Sequence, residues 1–193
     1  METTPQSSIN VYIEIEKGSN FKYEFNKQTN QLELDRILTE PHVYPYAYGF
    51  IPNTLAEDGD ELDILVITKD NDTTPIKNDS YMDVYIVGAL LMEDEHGNDH
   101  KILAIPKPEY ETGTIQSIYD MSSETLESIQ TFFANYKKNE PNKWSIVKGF
   151  VGKPAAMQIY EKSLLSSPIN ALDDAECENG EKTDEHYART SSH

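Results

Sequence analysis

The densest group of reactive side chains is an acidic segment, residues 57–63, that leads into an apolar run. Like charges this close repel, and burying each one costs several kcal/mol, so such a cluster persists where it faces water or holds cations. Magnesium prefers oxygen ligands and is commonly shared between one or two carboxylates and substrate phosphates. The segment is therefore either a divalent metal site or a solvated acidic turn. Its five carboxylates are Glu57, Asp58, Asp60, Glu61 and Asp63, with Gly59 allowing a tight turn among them.

A second acidic run covers residues 93–99 and ends two positions before Lys101. Taken alone, it is typical of a hairpin turn, with Gly97 and Asn98 as the turn residues. Each of the two acidic runs adjoins an apolar strand, so the two could meet in space and bind a cluster of ions together.

Cationic side chains with possible phosphate-binding roles are spread along the chain. Lys22 shares a strand face with Glu24, Arg36 ends a second strand, and Lys137 follows Tyr136 at the end of a helix. Lysine and arginine are the usual phosphate ligands. Each of them, taken singly, is equally consistent with a solvated surface charge.

An aromatic segment with three tyrosines and two prolines, Tyr44–Asn53, predicts a stiff loop. Tyrosine hydroxyls can donate hydrogen bonds to phosphate oxygens. The same residues could instead be half-buried core.

The net charge of −18 argues against nucleic acid or an anionic membrane as a partner. One cysteine, Cys177, cannot form an internal disulfide, which favours a reducing compartment. No run approaches the roughly 20 apolar residues of a membrane span. Residues 1–10 lack the pattern of a secretory signal. A cytoplasmic protein that is not membrane-bound is the resulting expectation.

Alternating and near-continuous apolar runs predict a mainly β protein. The strands expected at 21–25 and 32–36 look like a hairpin. Ser122 or Ser123 should cap a first helix that carries Phe133 on its apolar stripe, and a last helix should begin near Pro154 and reach about Leu165. An α+β, mainly β fold with a small barrel and flanking helices follows. Further strands are expected at 11–16, 62–68, 84–92, 101–105 and 146–151.

In order and spacing, these pieces resemble the soluble family I inorganic pyrophosphatases. The segment Asp58–Ile64 is similar to that family's signature, D-x-D-[P/E]-aliphatic-D-aliphatic. Tyr44–Gly49 is similar to its YPxNYG motif, with alanine where asparagine is common. Further matches are Ile13–Ile15, Lys22–Glu24, Asp35-Arg36, Asp94–Lys101, Tyr136-Lys137 and Lys143-Trp144.

The resemblance implies a five-stranded OB-like barrel with flanking helices and the hydrolysis of pyrophosphate to two orthophosphates. The resemblance covers about residues 9–165, which would form the pyrophosphatase domain. From their polar composition, residues 1–8 are expected to be a disordered N-terminus and residues 166–193 a flexible acidic tail. The resemblance also implies several magnesium ions per site. The implied metal ligands are Asp58, Asp63, Asp94 and Asp99, with Glu14 and Glu24 holding metal or outer-shell water.

The remaining implied roles belong to the reacting water and the phosphates. Asp60 would orient the nucleophilic water or accept its proton, and Tyr48 and Lys101 would complete the catalytic set. Tyr44 would support the site. The implied phosphate ligands are Lys22, Arg36, Tyr48, Lys101, Tyr136 and Lys137.

The chain length matches the short bacterial-type enzymes of that family, which implies a homo-oligomer, with a hexamer favoured over a dimer or trimer. The segment Asp83–Gly88 departs from an Arg-x-Arg-Pro-x-Gly stretch that is common in the family, and this departure puts the hexamer in question more than the activity. Two rival interpretations remain: a nucleic-acid-binding barrel, which the charge opposes, and a calcium-binding or scaffold protein without activity, which would not need Lys22, Arg36 and Lys137.

Overall fold

A computed structural model of the chain describes residues 7–69, 75–113 and 115–165. The acidic segment predicted at 166–193 lies wholly outside these residues, as do residues 1–6 of the predicted N-terminal segment. No helix in these described ranges is long and apolar enough to cross a membrane.

Strands dominate the described part of the chain and form a large sheet and a separate two-stranded sheet. All of the predicted strands are confirmed, with bounds that shift by a few residues, and two further strands are present. The strands are β1 (Ile9–Ile15), β2 (Phe21–Asn26), β3 (Gln31–Ile37), β4 (Ala47–Ile51), β5 (Leu62–Val66), β6 (Ser80–Asp94), β7 (Gly97–Asn98), β8 (Lys101–Pro106) and β9 (Ser145–Gly152).

Five strands of the large sheet close into a ring. β1 pairs with β4, β4 with β5, β5 with β8 in parallel, β8 with β6, and β6 again with β1. The 15-residue β6 extends past the ring and also pairs with β7 and β9. This is the five-stranded, OB-like barrel that the sequence predicted.

The near-continuous apolar strands are explained by burial on both faces. One core cluster, which includes Val11, Ile64 and Ile102, draws residues from all five barrel strands. A second cluster lies on the other face of these strands and includes Leu65 and Phe133. Strands covered on both sides have no position for a regular polar alternation.

Three α-helices and one short 3₁₀ helix lie within the described ranges. Ser122 caps α2, its hydroxyl accepting a hydrogen bond from the Thr125 N–H at 3.2 Å, as the sequence predicted. The predicted last helix is confirmed, with Pro154 in its first turn. The sequence did not predict α1 or the 3₁₀ helix. The helices are α1 (Lys107–Thr112), the 3₁₀ helix Ile118–Asp120, α2 (Ser123–Asn135) and α3 (Lys153–Leu165).

The prediction of a loop over residues 44–53 is wrong for its middle part, Ala47–Ile51, which forms β4. Its two prolines, Pro45 and Pro52, flank that strand and so remove no hydrogen bond from it. Gly49 faces the backbone of β1 so closely that a Cβ atom would lie 1.9 Å from the Tyr12 carbonyl oxygen. The strand can therefore reach β1 only because position 49 has no side chain.

The β2–β3 hairpin, predicted from alternation, stands outside the barrel as its own sheet. Tyr12 of β1 joins it to the barrel, with ring centroids 5.1 Å from Phe25 and 5.3 Å from Phe50. This aromatic contact fixes the hairpin against one wall of the barrel and so positions the charged side chains that it carries.

Candidate active site

A polar cleft of about 230 Å³ lies between the hairpin, the two acidic turns and the segment after α2. Eight carboxylates, five lysine or arginine side chains and three tyrosines line it. All of the site residues predicted from the sequence lie along this one cleft: Glu14, Lys22, Glu24, Arg36, Tyr44, Tyr48, Asp58, Asp60, Asp63, Asp94, Asp99, Lys101, Tyr136 and Lys137.

The first acidic turn is held by its own backbone. Gly59 has φ +95°, a left-handed conformation that favours glycine. The Asp58 carboxylate accepts a hydrogen bond from the Asp60 N–H at 3.1 Å, and the Asp60 carbonyl accepts one from the Ala56 N–H at 2.7 Å. The turn leaves Asp58 and Asp60 exposed toward the cleft. Asp63 follows as the second residue of β5.

The two glutamates of this segment point elsewhere. Glu57 accepts hydrogen bonds from Asn98 at 2.8 Å and from Lys162 at 3.1 Å. Glu61 pairs with Lys27 at 2.7 Å. The five-carboxylate cluster of the sequence therefore divides, and only its aspartates line the main cleft.

Lys101 is the most deeply buried cation of the cleft, with 2% of its surface exposed. Its ammonium pairs with both Asp63 and Asp99. Burial alone would lower its pKa, but the two carboxylates outweigh that effect and hold the pKa well above its usual value. Lys101 therefore stays protonated and places a positive charge between the two acidic turns.

The second acidic turn reverses the chain at Glu95 and His96. Gly97 and Asn98, expected to be the turn residues, instead form β7 and pair with the end of β6. Asp94 accepts hydrogen bonds from the His96 N–H at 2.8 Å and from the Lys137 ammonium at 2.6 Å. Burial raises the pKa of Asp94, but Lys137 outweighs burial and leaves that pKa below its usual value.

The acidic side chains fit divalent cations by number and donor type. No three acidic or histidine side chains converge on a single point within the described residues. Lysine ammonium groups lie against Asp63, Asp94 and Asp99 instead. Carboxylates still outnumber lysines and arginines along the cleft, and carboxylate oxygens are the ligands of hard cations such as magnesium.

Glu14 lies at the back of the cleft with 8% of its surface exposed. Its carboxylate accepts a hydrogen bond from the Phe25 N–H at 2.8 Å, which ties the hairpin to β1. Burial raises its pKa to about 8, and the nearby charges of Asp63 and Glu24 add to the rise.

This raised pKa predicts how the stability of the metal-free protein depends on pH. The folded protein holds the Glu14 proton more tightly than the unfolded chain, whose pKa is about 4.5, so stability should fall as pH rises from 4.5 toward 8. In urea unfolding with EDTA, Glu14→Gln should be more stable than the wild type at pH 8 by roughly 1–3 kcal/mol, and equal to it near pH 4. Glu16→Gln is the control, because Glu16 is more exposed and pairs with Lys77. Parallel pH curves for Glu14→Gln and the wild type would contradict this assignment.

Tyrosine hydroxyls and cations line the same cleft as the carboxylates. Burial raises the pKa of Tyr48 well above its usual value, so its hydroxyl stays a neutral hydrogen-bond donor. The ring of Tyr44 packs against that of Tyr48, with centroids 5.2 Å apart and an interplanar angle of 48°. Lys22 pairs with Glu24 and lies 3.3 Å from Asp35.

The structure adds Glu95, His96 and Lys143 to the residues that line the cleft. Lys143 belongs to a matched motif, so a sequence signal for it existed. Glu95 and His96 lie within the matched segment Asp94–Lys101, but no role was assigned to either of them from the sequence.

Comparison with known proteins places the chain in a family. The family model described as inorganic pyrophosphatase matches residues 11–166. An inorganic pyrophosphatase of Campylobacter jejuni is 41% identical over 160 residues, which cover 82% of this chain and 91% of that protein. One of Nanoarchaeum equitans is 44% identical over 154 residues, or 79% and 92%. A solved inorganic pyrophosphatase structure from Helicobacter pylori superposes with a TM-score of 0.78 at 41% identity, covering 86% of this chain and 97% of that one.

This chain belongs to the inorganic pyrophosphatase family. The matched range contains every residue that lines the cleft. The departure at Asp83–Gly88 lies within β6, and none of its residues lines the cleft. The pyrophosphatase resemblance found in the sequence is thus confirmed, together with its fold.

Proposed function

We propose that this chain hydrolyses inorganic pyrophosphate to two orthophosphates with divalent metal ions, magnesium foremost, held in the acidic cleft. The observation that carries the proposal is the convergence, in one cleft, of carboxylates on two turns with cations and tyrosines from four other segments. Family membership supplies the substrate. A cation-buffering protein would have no use for the buried lysines that lie beside these carboxylates.

Asp58 and Asp63 from the first turn and Asp94 and Asp99 from the second would hold the metal ions, with Glu14 and Glu24 beside them. When bound, such ions neutralise phosphate charge and activate water as a nucleophile. The lysines that pair with Asp63, Asp94 and Asp99 are long and flexible. Their ammonium groups can move toward phosphate oxygens when the carboxylates bind metal.

Asp60 is the proposed base or orienting group for the attacking water. Its carboxylate has no hydrogen bond to another side chain among the described residues, and it faces the cleft. Partial burial, with Asp58 beside it, raises its pKa above the usual value. A carboxylate whose pKa is raised toward neutrality is a better proton acceptor at working pH.

The phosphates would bind to the cations and tyrosines that line the cleft. Hydrolysis of a P–O–P bond gives the protein little covalent chemistry, so positioning and charge stabilisation must supply the rate. Lys101 and Tyr48 lie close together, with the ammonium 5.8 Å from the ring centroid, and so can share one phosphate group. The proposed phosphate ligands are Lys22, Arg36, Tyr48, Lys101, Tyr136 and Lys137.

The metal-ligand assignment predicts the magnesium dependence of two variants. Asp58→Ala and Asp63→Ala should raise the magnesium concentration at half-maximal activity by roughly 10–100-fold or more. A magnesium titration of phosphate release measures this directly. Glu57→Ala is a matched control, because Glu57 belongs to the same turn but pairs with Asn98 and Lys162, and its titration should stay within twofold of the wild type. Unchanged titrations in both aspartate variants would exclude them as ligands.

The resemblance also supports a homo-oligomer, with a hexamer favoured over a dimer or trimer, working in the cytoplasm without nucleic acid or membrane as partner. The net charge of −18 supports the absence of these anionic partners. Light scattering of the purified chain at micromolar concentration tests the assembly, and a mass of one protomer would contradict it.

A further inference from the structure

Glu140 lies in the segment between α2 and β9. Its carboxylate oxygen Oε2 is 2.7 Å from Arg36 Nη1 and 3.4 Å from Lys143 Nζ. Arg36 and Lys143 both line the cleft, whereas Glu140 does not. One carboxylate oxygen therefore holds two cations that face the cleft from different segments of the chain.

The local backbone brings these groups together. The Glu140 N–H donates to the Lys137 carbonyl at 3.0 Å, and the Lys143 N–H donates to the Glu140 carbonyl at 3.3 Å. Asn142 has φ +60° and turns the chain so that Lys143 returns toward Glu140. The segment is thus folded around Glu140, whose carboxylate joins it to Arg36 of β3 through an ion pair.

The state of the Arg36 guanidinium shows that the protein alone does not satisfy it. Its Nε atom is buried and has no hydrogen-bond partner among the described residues. Both Arg36 and Glu140 are about one-fifth exposed, so their pairing is partly shielded from water. A guanidinium held through one nitrogen keeps other N–H donors for the oxygens of an anion such as a phosphate.

We propose that Glu140 is a positioning residue that fixes Arg36 and Lys143 as a paired phosphate grip. This inference rests on the proposed phosphate-binding role of Arg36. Without Glu140, the two side chains regain rotamer freedom and repel each other, so pyrophosphate must order them on binding. Because the grip contacts phosphate before and during reaction, its loss should raise KM more than it lowers kcat.

The test compares Glu140→Ala with the wild type in steady-state hydrolysis of pyrophosphate at saturating magnesium. We expect KM to rise at least threefold with kcat changed less than twofold. Glu127→Ala is the control, because Glu127 is an exposed carboxylate of α2 outside the cleft, so it removes the same charge without touching the grip. A KM change below threefold, or a fall in KM from the lost negative charge, would overturn the proposal.

A double-mutant cycle separates positioning from a general structural effect. In an Arg36→Gln background, Glu140→Ala should change KM less than twofold, because the main partner of Glu140 is already gone. A full threefold effect in that background would also overturn the proposal. If the alanine variant does not fold, Glu140→Gln replaces it in the comparison. Glutamine keeps an acceptor oxygen and loses the charge, so the expected rise in KM is at least twofold.

The wild type and the Glu127→Ala variant distinguish this inference from the function on which it rests. If neither releases phosphate from pyrophosphate with magnesium, the proposed hydrolase function fails. If both do and Glu140→Ala behaves like them, only the role of Glu140 fails.

Discussion

Replacing Asp60 by asparagine should lower kcat by roughly 100- to 10,000-fold while leaving the magnesium titration nearly unchanged. Asparagine keeps the shape of the side chain and can still orient water, but it cannot accept the proton. Asp60 lies beside proposed ligands without a side-chain hydrogen bond of its own among the described residues, so its loss should not collapse the turn. Stopped assays of phosphate release across a magnesium series measure both effects.

Glu61→Gln is the matched control for Asp60→Asn. Glu61 is the adjacent carboxylate in sequence, but it pairs with Lys27 outside the main cleft. Its variant should keep at least half of the wild-type kcat. Full turnover in Asp60→Asn would exclude Asp60 as the base, and a large shift in its magnesium titration would make it a ligand instead.

Replacing Lys101 by methionine should have the largest effect on stability. The substitution keeps much of the side-chain volume but leaves Asp63 and Asp99 facing each other without a counter-charge. Removing one partner of a buried ion pair costs about 3–5 kcal/mol. We expect a loss of that size in urea unfolding with EDTA, together with a strong loss of activity.

Magnesium should return part of the stability lost in Lys101→Met. A divalent ion that binds the folded state at Asp63 and Asp99 replaces the missing charge and stabilises the protein by mass action. Lys138→Met is the control, because Lys138 is an exposed neighbour of the cleft's Lys137 and does not line the cleft. Equal stability of Lys101→Met and the wild type without metal would show that the two carboxylates do not depend on Lys101.

The sequence predicted the barrel because its strands carry strong local patterns. The hairpin strands alternate, and β5 and β8 are continuous apolar runs, so period and length identified them. β4 was missed because its two flanking prolines and three nearby tyrosines are typical of a loop. Its pairing with both β1 and β5 is a tertiary effect that no local pattern records.

The candidate site was predictable as a set of residues but not as a set of contacts. Motif order identified the side chains that line the cleft, since motif spacing reflects the fold. Which carboxylates leave the cleft depends on distant partners, such as Lys162 for Glu57. The role of Glu140 could not be predicted from the sequence, because its polar neighbours in the chain are typical of a solvated turn. Its partner Arg36 lies 104 positions away.

The most direct test of the central claim is phosphate release from pyrophosphate by the purified chain, with magnesium and with EDTA. We expect rapid release of two phosphates per pyrophosphate with magnesium and little release in EDTA. The Asp60→Asn protein, prepared in the same way, excludes a contaminating enzyme. No magnesium-dependent release by the wild type, or equal release by the Asp60→Asn protein, would contradict the account.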